Sequence, residues 1–299
     1  MTITISGGTG LIGRRLLKNF VAAGYAVRVL SRRSDVGLPE GVTVFPWDAA
    51  QSSPPEESLR GCDVVVRLAG EPVAQRWTPG AKERIRESRV VGTRRLVEAL
   101  ARMGKSPQAL VCASAVGYYG SRGDEVLRES AEPSNTWLSQ VCVAWEREAE
   151  AASALGMRVV CVRTGIVLDP RGGALEKMLP AFRMGAGGRL GSGKQWMPWI
   201  HLADLASLFQ FAVETPVKGA MNGVAPYPVT NAEFTRELAK ALHKPALVPV
   251  PRFALKLLFG EMSDVLFASL RVVPAVAEAA GFRFRYPHLT PALENLLGG

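Results

Sequence analysis

The stretch Ile3-Thr4-Ile5-Ser6-Gly7-Gly8-Thr9-Gly10-Leu11-Ile12-Gly13 runs an alternating β-branched strand through three spaced glycines straight into a helix. The glycines serve three different physical needs. One makes the tight turn, one lets backbone approach a pyrophosphate, and one lets the helix pack against the strand. The helix N-terminus then offers free N–H groups and partial positive charge to phosphates. After the loop, Leu16, Phe20 and Val21 recur at helical spacing. The reading is a dinucleotide site at Gly7, Thr9, Gly10, Leu11, Ile12 and Gly13.

The next strand selects the dinucleotide. About 20 residues on, a carboxylate would bind the ribose hydroxyls of NAD. Here Tyr25–Leu30 ends in Ser31-Arg32-Arg33, with no acid. A hydroxyl and two guanidinium forks suit a 2′-phosphate, which predicts NADP as cofactor. A solvated basic turn is the competing reading in a chain of formal net charge +9.

Further apolar runs, Val42–Phe45, Val64–Ala69, Ala109–Ala113 and Arg158–Arg163, alternate with helical patterns. Several are apolar throughout, as strands covered on both faces are. The fold class is therefore α/β, a Rossmann-type doubly wound parallel sheet. Residues 1–167, with returning segments from 197–225, are expected to form the NADP-binding part. Residues 168–299 form a smaller C-terminal region on the substrate side that closes over the site. Ala232–Leu242 reads as an amphipathic helix introduced by Thr230-Asn231, followed after Pro251 by an apolar helix from Phe253. Gln51–Glu57 reads as a connecting loop.

Ligands collect at the carboxyl ends of such strands. That places Trp47 and Asp48 beside an adenine, and Leu68, Ala69 and Gly70 beside the cofactor. The fifth strand is followed by Ser114, Tyr118 and Tyr119. The basic residues are dispersed without an aromatic-basic motif, which argues against nucleic acid. No apolar run reaches membrane-spanning length, so no membrane partner is expected. Cys62, Cys112, Cys142 and Cys161 lack metal-ligand spacing and read as buried thiols of a reducing, cytoplasmic compartment, with no metal. Because the N-terminus begins at once with strand and phosphate loop, no cleaved signal peptide is expected.

With the glycine loop, the Leu68-Ala69-Gly70 turn, Gly92-Thr93, Ser114, Tyr119-Gly120 and Trp199–Ala206 in place, the chain resembles the extended short-chain dehydrogenases/reductases. It is more similar still to an atypical epimerase-like family, often labelled nucleoside-diphosphate-sugar epimerases or cell-division-inhibitor-like proteins. Ala69-Gly70-Glu71-Pro72, Ser88-Arg89, Ala115–Gly120, Gly191-Ser192-Gly193, Asn222–Pro226, Thr230–Phe234, Arg271–Pro274 and Gly281–Phe284 carry that likeness. The resemblance implies cofactor contacts from Arg89, from Arg84 one turn earlier, and from Val167, with Ile166 and Val167 bordering the nicotinamide. An exposed basic helix face is the competing reading for both arginines.

Ordinary members carry Tyr-x-x-x-Lys on the helix after the Ser strand, for proton exchange with the substrate. Alignment on Trp145 and Glu146 puts Leu138 and Cys142 there. Ser114, Tyr118 and Tyr119 are the substitute catalytic candidates, and Arg183, Arg189 and Lys194 could receive an anionic substrate. His201 reads as structural. Two functions stay open: an NADP-dependent oxidoreductase or epimerase acting on a nucleotide sugar or other carbonyl compound, and an NADPH-binding regulator without turnover.

Overall fold

The computed structural model describes residues 1–33, 37–246 and 248–298. Seven parallel strands form its main sheet: β1 (Thr2–Ser6), β2 (Ala26–Ser31), β3 (Val42–Pro46), β4 (Val64–Arg67), β5 (Ala109–Ala115), β6 (Arg158–Thr164) and β7 (Gly219–Gly223). Their spatial order is β7-β6-β5-β4-β1-β2-β3. The direction of winding reverses between β1 and β4, which opens a crevice at the carboxyl ends of those two strands. All of β4 is buried, as is β5 from Ala109 to Cys112, which accounts for their unbroken apolar sequences.

Helices cover both faces. α1 (Leu11–Ala22), α2 (Pro79–Ala101), α3 (Trp137–Glu150), α4 (Gly173–Arg183) and α5 (Leu202–Glu214) follow one another in the chain. α1 packs with α5 on one face and α2 with α3 on the other. The first layer buries Ile3, Ile5, Leu16, Phe20 and Leu205; the second buries Val65, Leu96, Leu100, Leu110 and Trp145. Each such side chain removed from water contributes about 1.5–3 kcal/mol.

The helix starts are written in the sequence. Thr78 caps α2 by accepting the Ala81 N–H, with Pro79 at the first helical position, and Thr136 caps α3 by accepting from Ser139. α6 (Asn231–Ala241) begins with a reciprocal box between Thr230 and Glu233. α7 (Arg252–Phe259) and α8 (Leu289–Leu297) complete the long helices, and α8 packs on α6. A third core joins Trp199 to Leu168, Leu179, Phe234 and Leu293.

The structure adds to the sequence reading in three places. β7 is a strand that the sequence does not announce, because Gly219-Ala-Met-Asn-Gly223 has no apolar run; its pairing with β6 alone defines it. The Gln51–Glu57 loop ends in a short helix, Glu56–Leu59. α7 forms near Phe253 as expected but buries nothing, leaving Phe253, Leu257 and Leu258 in solvent. All four cysteines are buried and free. No described helix is long and apolar enough to cross a membrane.

Candidate functional site

The crevice at the carboxyl ends of β1 to β4 is a cleft of about 690 Å³. Gly7, Thr9 and Gly10 form one wall. Gly7 adopts φ +80°, and a Cβ there would stand 2.6 Å from Ala69 N. At Gly13 a Cβ would fall 2.2 Å from the Gly7 carbonyl oxygen, so the helix sits on the loop backbone itself. At Gly10 the nearest atom to an added Cβ is 3.5 Å away, which leaves that side of the loop open. α1 has neither a side-chain cap nor an acid in its first turn, so its leading N–H groups are left for a ligand.

Opposite stand Ser31, Arg32 and Arg33 after β2. The Arg33 N–H donates to Ser31 Oγ at 3.1 Å, which shapes the turn. Among the described residues neither guanidinium has a partner, and both side chains are exposed at the cleft rim. Trp47 and Asp48 after β3 complete this end. The Trp47 indole donates to Ser52 O at 2.9 Å, and Asp48 Oδ1 accepts the Ala50 N–H at 3.0 Å.

Leu68, Ala69 and Gly70 form the floor beyond β4. Arg84 reaches the cleft as an exposed side chain, with Nε 3.8 Å from Glu71 Oε1. Arg89 lies behind the turn rather than on the cleft surface. It donates to Glu71 O at 2.9 Å and to Ile85 O at 3.2 Å, and its guanidinium sits 5.2 Å from the Trp145 ring. Gly70 leaves room for it, since a Cβ there would be 3.1 Å from Arg89 Cζ. Arg89 thus supports the Gly70-Glu71 backbone directly beneath the cleft floor. Ser88 adds to that support by accepting the Glu71 N–H at 3.0 Å.

Leu11, Ile12 and Val167 also stand off the cleft surface. Leu11 packs on Gly172, Ile12 joins the core under the sheet, and Val167 pairs with Ile200 in a two-stranded ladder. The first two can still face a ligand through backbone N–H at the helix start.

At the ends of β5 and β6 a polar network occupies the place where the sequence puts catalysis. Ser114 Oγ donates to Glu146 Oε1 at 2.6 Å. Arg163 grips the same carboxylate with both forks, Nε to Oε1 at 2.9 Å and Nη2 to Oε2 at 2.8 Å. Its Nη1 donates to the Tyr119 hydroxyl at 3.0 Å, and that hydroxyl donates to Asn222 Oδ1 at 2.7 Å. Tyr119 is wholly buried, its phenol is pushed up to about 12 by burial, and its oxygen is engaged on both sides. That geometry makes it a brace and corrects the expectation that it exchanges a proton with a substrate. Tyr118 differs: its ring lies 3.4 Å from the Arg163 guanidinium and is only half-buried, and burial raises its phenol. Sequence reasoning misses Glu146, Arg163 and Asn222, since nothing local marks residues that meet only through the sheet.

On α3, Leu138 packs into the space over Gly117, where a Cβ would meet it at 2.6 Å, and burial pushes the Cys142 thiol up to about 12. His201 caps α5, its Nδ1 accepting the Ala203 N–H at 2.9 Å, and it stacks on Tyr286 at 4.1 Å. Of the three basic residues considered for an anionic substrate, Lys194 lines a second, shallower cleft of about 390 Å³, while Arg183 and Arg189 are exposed.

A doubly wound parallel sheet with a glycine cradle at its switch point defines a nucleotide-binding protein of the Rossmann class. The chain belongs to the NAD dependent epimerase/dehydratase family, which it matches over residues 3–225. Residues 250–296 match a domain of unknown function, DUF1731. The chloroplastic epimerase family protein SDR39U1 homolog of Arabidopsis thaliana is 39% identical over 306 residues, covering 99% of this chain and 87% of the relative. The epimerase family protein YfhF of Bacillus subtilis is 36% identical, covering 99% and 98%. Among solved structures, human epimerase family protein SDR39U1 (isoform 2) with NADPH superposes with a TM-score of 0.88 at 33% identity, covering all of both chains. The Thermus thermophilus UDP-glucose 4-epimerase with NAD shares the fold, at TM-score 0.76 and 21% identity.

Proposed function

We propose that this protein binds NADP(H) in the cleft between β1 and β4 and acts as an oxidoreductase or epimerase-type enzyme on a small carbonyl compound or nucleotide sugar. The observation that carries the reading is the pairing of an open helix N-terminus at Gly10 with Ser31, Arg32 and Arg33, which line the same cleft at the end of β2. The residues present fit the cofactor: Gly7 and Gly13 let the loop close on Ala69 and on its own backbone, and Gly10, which lines the cleft, leaves space for a pyrophosphate. Leu11 to Gly13 would hold the pyrophosphate through N–H groups, and Ser31, Arg32 and Arg33 the 2′-phosphate. The human relative solved with NADPH supports the same cofactor. Four buried free thiols suit a reducing compartment such as the cytoplasm.

Bound NADP(H) supplies or accepts a hydride at its nicotinamide. The chain's own part is to orient the substrate and move a proton. Ser114 has its hydroxyl proton directed at Glu146, so its oxygen presents lone pairs to a substrate hydroxyl. Tyr118, a phenol protonated at neutral pH and pushed further up by burial, is the donor toward a carbonyl oxygen. Incubation of the protein and NADPH with a panel of carbonyl compounds and nucleotide sugars, followed at the nicotinamide absorbance band and by product analysis, tests this. Conversion that is lost in Ser114→Ala and Tyr118→Phe is the expected result.

A second reading is favoured by Leu138 and Cys142, which occupy the positions where related enzymes carry their Tyr and Lys. Neither side chain exchanges a proton at neutral pH, one being a hydrocarbon and the other a thiol held near 12. On this reading NADPH occupancy controls a partner without turnover. Tight NADPH binding with no conversion across the panel, and a pull-down that depends on NADPH, would favour it over the enzyme.

A further inference from the structure

The floor of the cleft holds a charge that no acid in the described structure neutralises. Arg67 ends β4 and is completely buried, yet it lines the cleft. Its Nη1 donates to Ser6 Oγ at 3.1 Å and to Ala69 O at 2.7 Å, and its Nη2 to Ser88 O at 2.6 Å. All three acceptors are neutral. Nε has no hydrogen-bond partner among the described residues. The charged side chain that bears on it most is Arg89, of the same sign, and burial lowers Arg67 only to about 10, so it stays charged at neutral pH.

The surroundings are shaped to keep it. The Trp47 ring lies 5.6 Å from its Cζ. α2 is bare at Gly92, where a Cβ would stand 2.6 Å from Nη2 and 3.0 Å from Ala49 Cβ. A buried guanidinium without a counter-ion is costly, and at low local dielectric it attracts an approaching anion more strongly than an exposed cation does.

We propose that Arg67 is a specificity-determining residue of this cleft, a buried cation whose neutralisation favours phosphate-bearing nucleotides over uncharged nucleosides. The assignment rests on reading the cleft as the NADP(H) site. It differs from the role of Arg32 and Arg33 in one measurable way. Exposed rim charges are screened by salt, whereas a buried charge facing a bound ligand is screened much less.

The test is Arg67→Met, titrated calorimetrically with 2′,5′-ADP and with adenosine at about 0.05 M and about 0.5 M salt, with thermal melts of the free protein. The expected result is a loss of 2′,5′-ADP affinity of about tenfold or more at both salt concentrations and adenosine affinity within about twofold, the melt showing that the variant is folded. Equal losses for both ligands, or a loss that disappears at high salt, would overturn the proposal and leave Arg67 as a structural clamp on Ala69 and Ser88. Where Arg67→Met fails to fold, Gly92→Ala displaces the guanidinium from the α2 side. An unchanged ratio of 2′,5′-ADP to adenosine affinity in that variant would equally overturn the assignment. Wild-type protein that binds neither 2′,5′-ADP nor NADPH would instead sink the cofactor reading, and the assignment with it.

Discussion

Gly13 and Gly10 stand three residues apart and serve different ends. A Cβ at Gly13 meets loop backbone at 2.2 Å, which cannot yield, whereas at Gly10 it meets an ordinary contact at 3.5 Å. Gly13→Ala is expected to lower stability by about 2–4 kcal/mol, a drop of several degrees in a thermal melt. Gly10→Ala should melt like wild type yet bind NADPH about tenfold more weakly, because its methyl group enters the space left for the pyrophosphate. Glu146 makes a third case. Removing its charge leaves Arg163 buried without its counter-ion, so Glu146→Gln should cost about 3–5 kcal/mol in denaturant unfolding. At this scale the glycine loop was legible because its chemistry is local. Tyr118 and Tyr119, adjacent and identical, could not be told apart, since only the sheet brings Arg163 and Asn222 to the hydroxyl of Tyr119 while setting Arg163 against the ring of Tyr118. Arg67 reads in sequence as the end of an apolar strand, and its buried charge emerges only when Ser6, Ser88 and Gly92 converge around it.

Elements were legible where caps and apolar runs coincide. Thr230 and Glu233 mark the start of α6 in sequence and close a capping box in the structure, whereas β7 carries no such mark and is a strand only through its neighbour. His201 makes the cap of α5 sensitive to pH. Its Nδ1 accepts the Ala203 N–H, a role that the neutral ring alone performs well, and burial pushes the imidazole down to about 4. Between about 4 and the ordinary His value near 6.5 the unfolded chain binds more protons than the folded one, so stability rises with pH across that window. The contribution is fully present above about 6.5 and is lost on acidification toward 4, on the order of 3 kcal/mol in all. Urea unfolding of wild type and His201→Asn at a series of pH values checks this, because Asn keeps a capping oxygen without a titrating ring. The wild-type minus variant difference should fall as pH drops through that window; a difference independent of pH would remove His201 as the cause.

Across the whole molecule, the reversal of winding between β1 and β4 gathers the ends of four strands, the start of α1 and the flank of α2 around one cleft. The segment that follows Glu71 and Pro72 along the rim is held from the C-terminal region. Lys177 Nζ donates to Ala74 O at 3.0 Å, Arg76 donates to Leu257 O at 3.4 Å, and Lys82 pairs with Glu261. The doubly wound class could be read from apolar runs alone, but these cross-links are long-range and leave no pattern in sequence. A ligand bound to the folded protein alone must stabilise it, so NADPH at about 100 times its dissociation constant should add about 2.7 kcal/mol and raise the melting temperature by several degrees. The most direct test is the dissociation constant of NADPH against that of NADH, measured calorimetrically on wild type and on Arg32→Ala. NADPH is expected to bind wild type about tenfold or more tightly than NADH, and this ratio to collapse toward one in Arg32→Ala. Equal affinity for the two cofactors in wild type, or a ratio untouched by the substitution, would contradict the NADP(H) reading of the cleft.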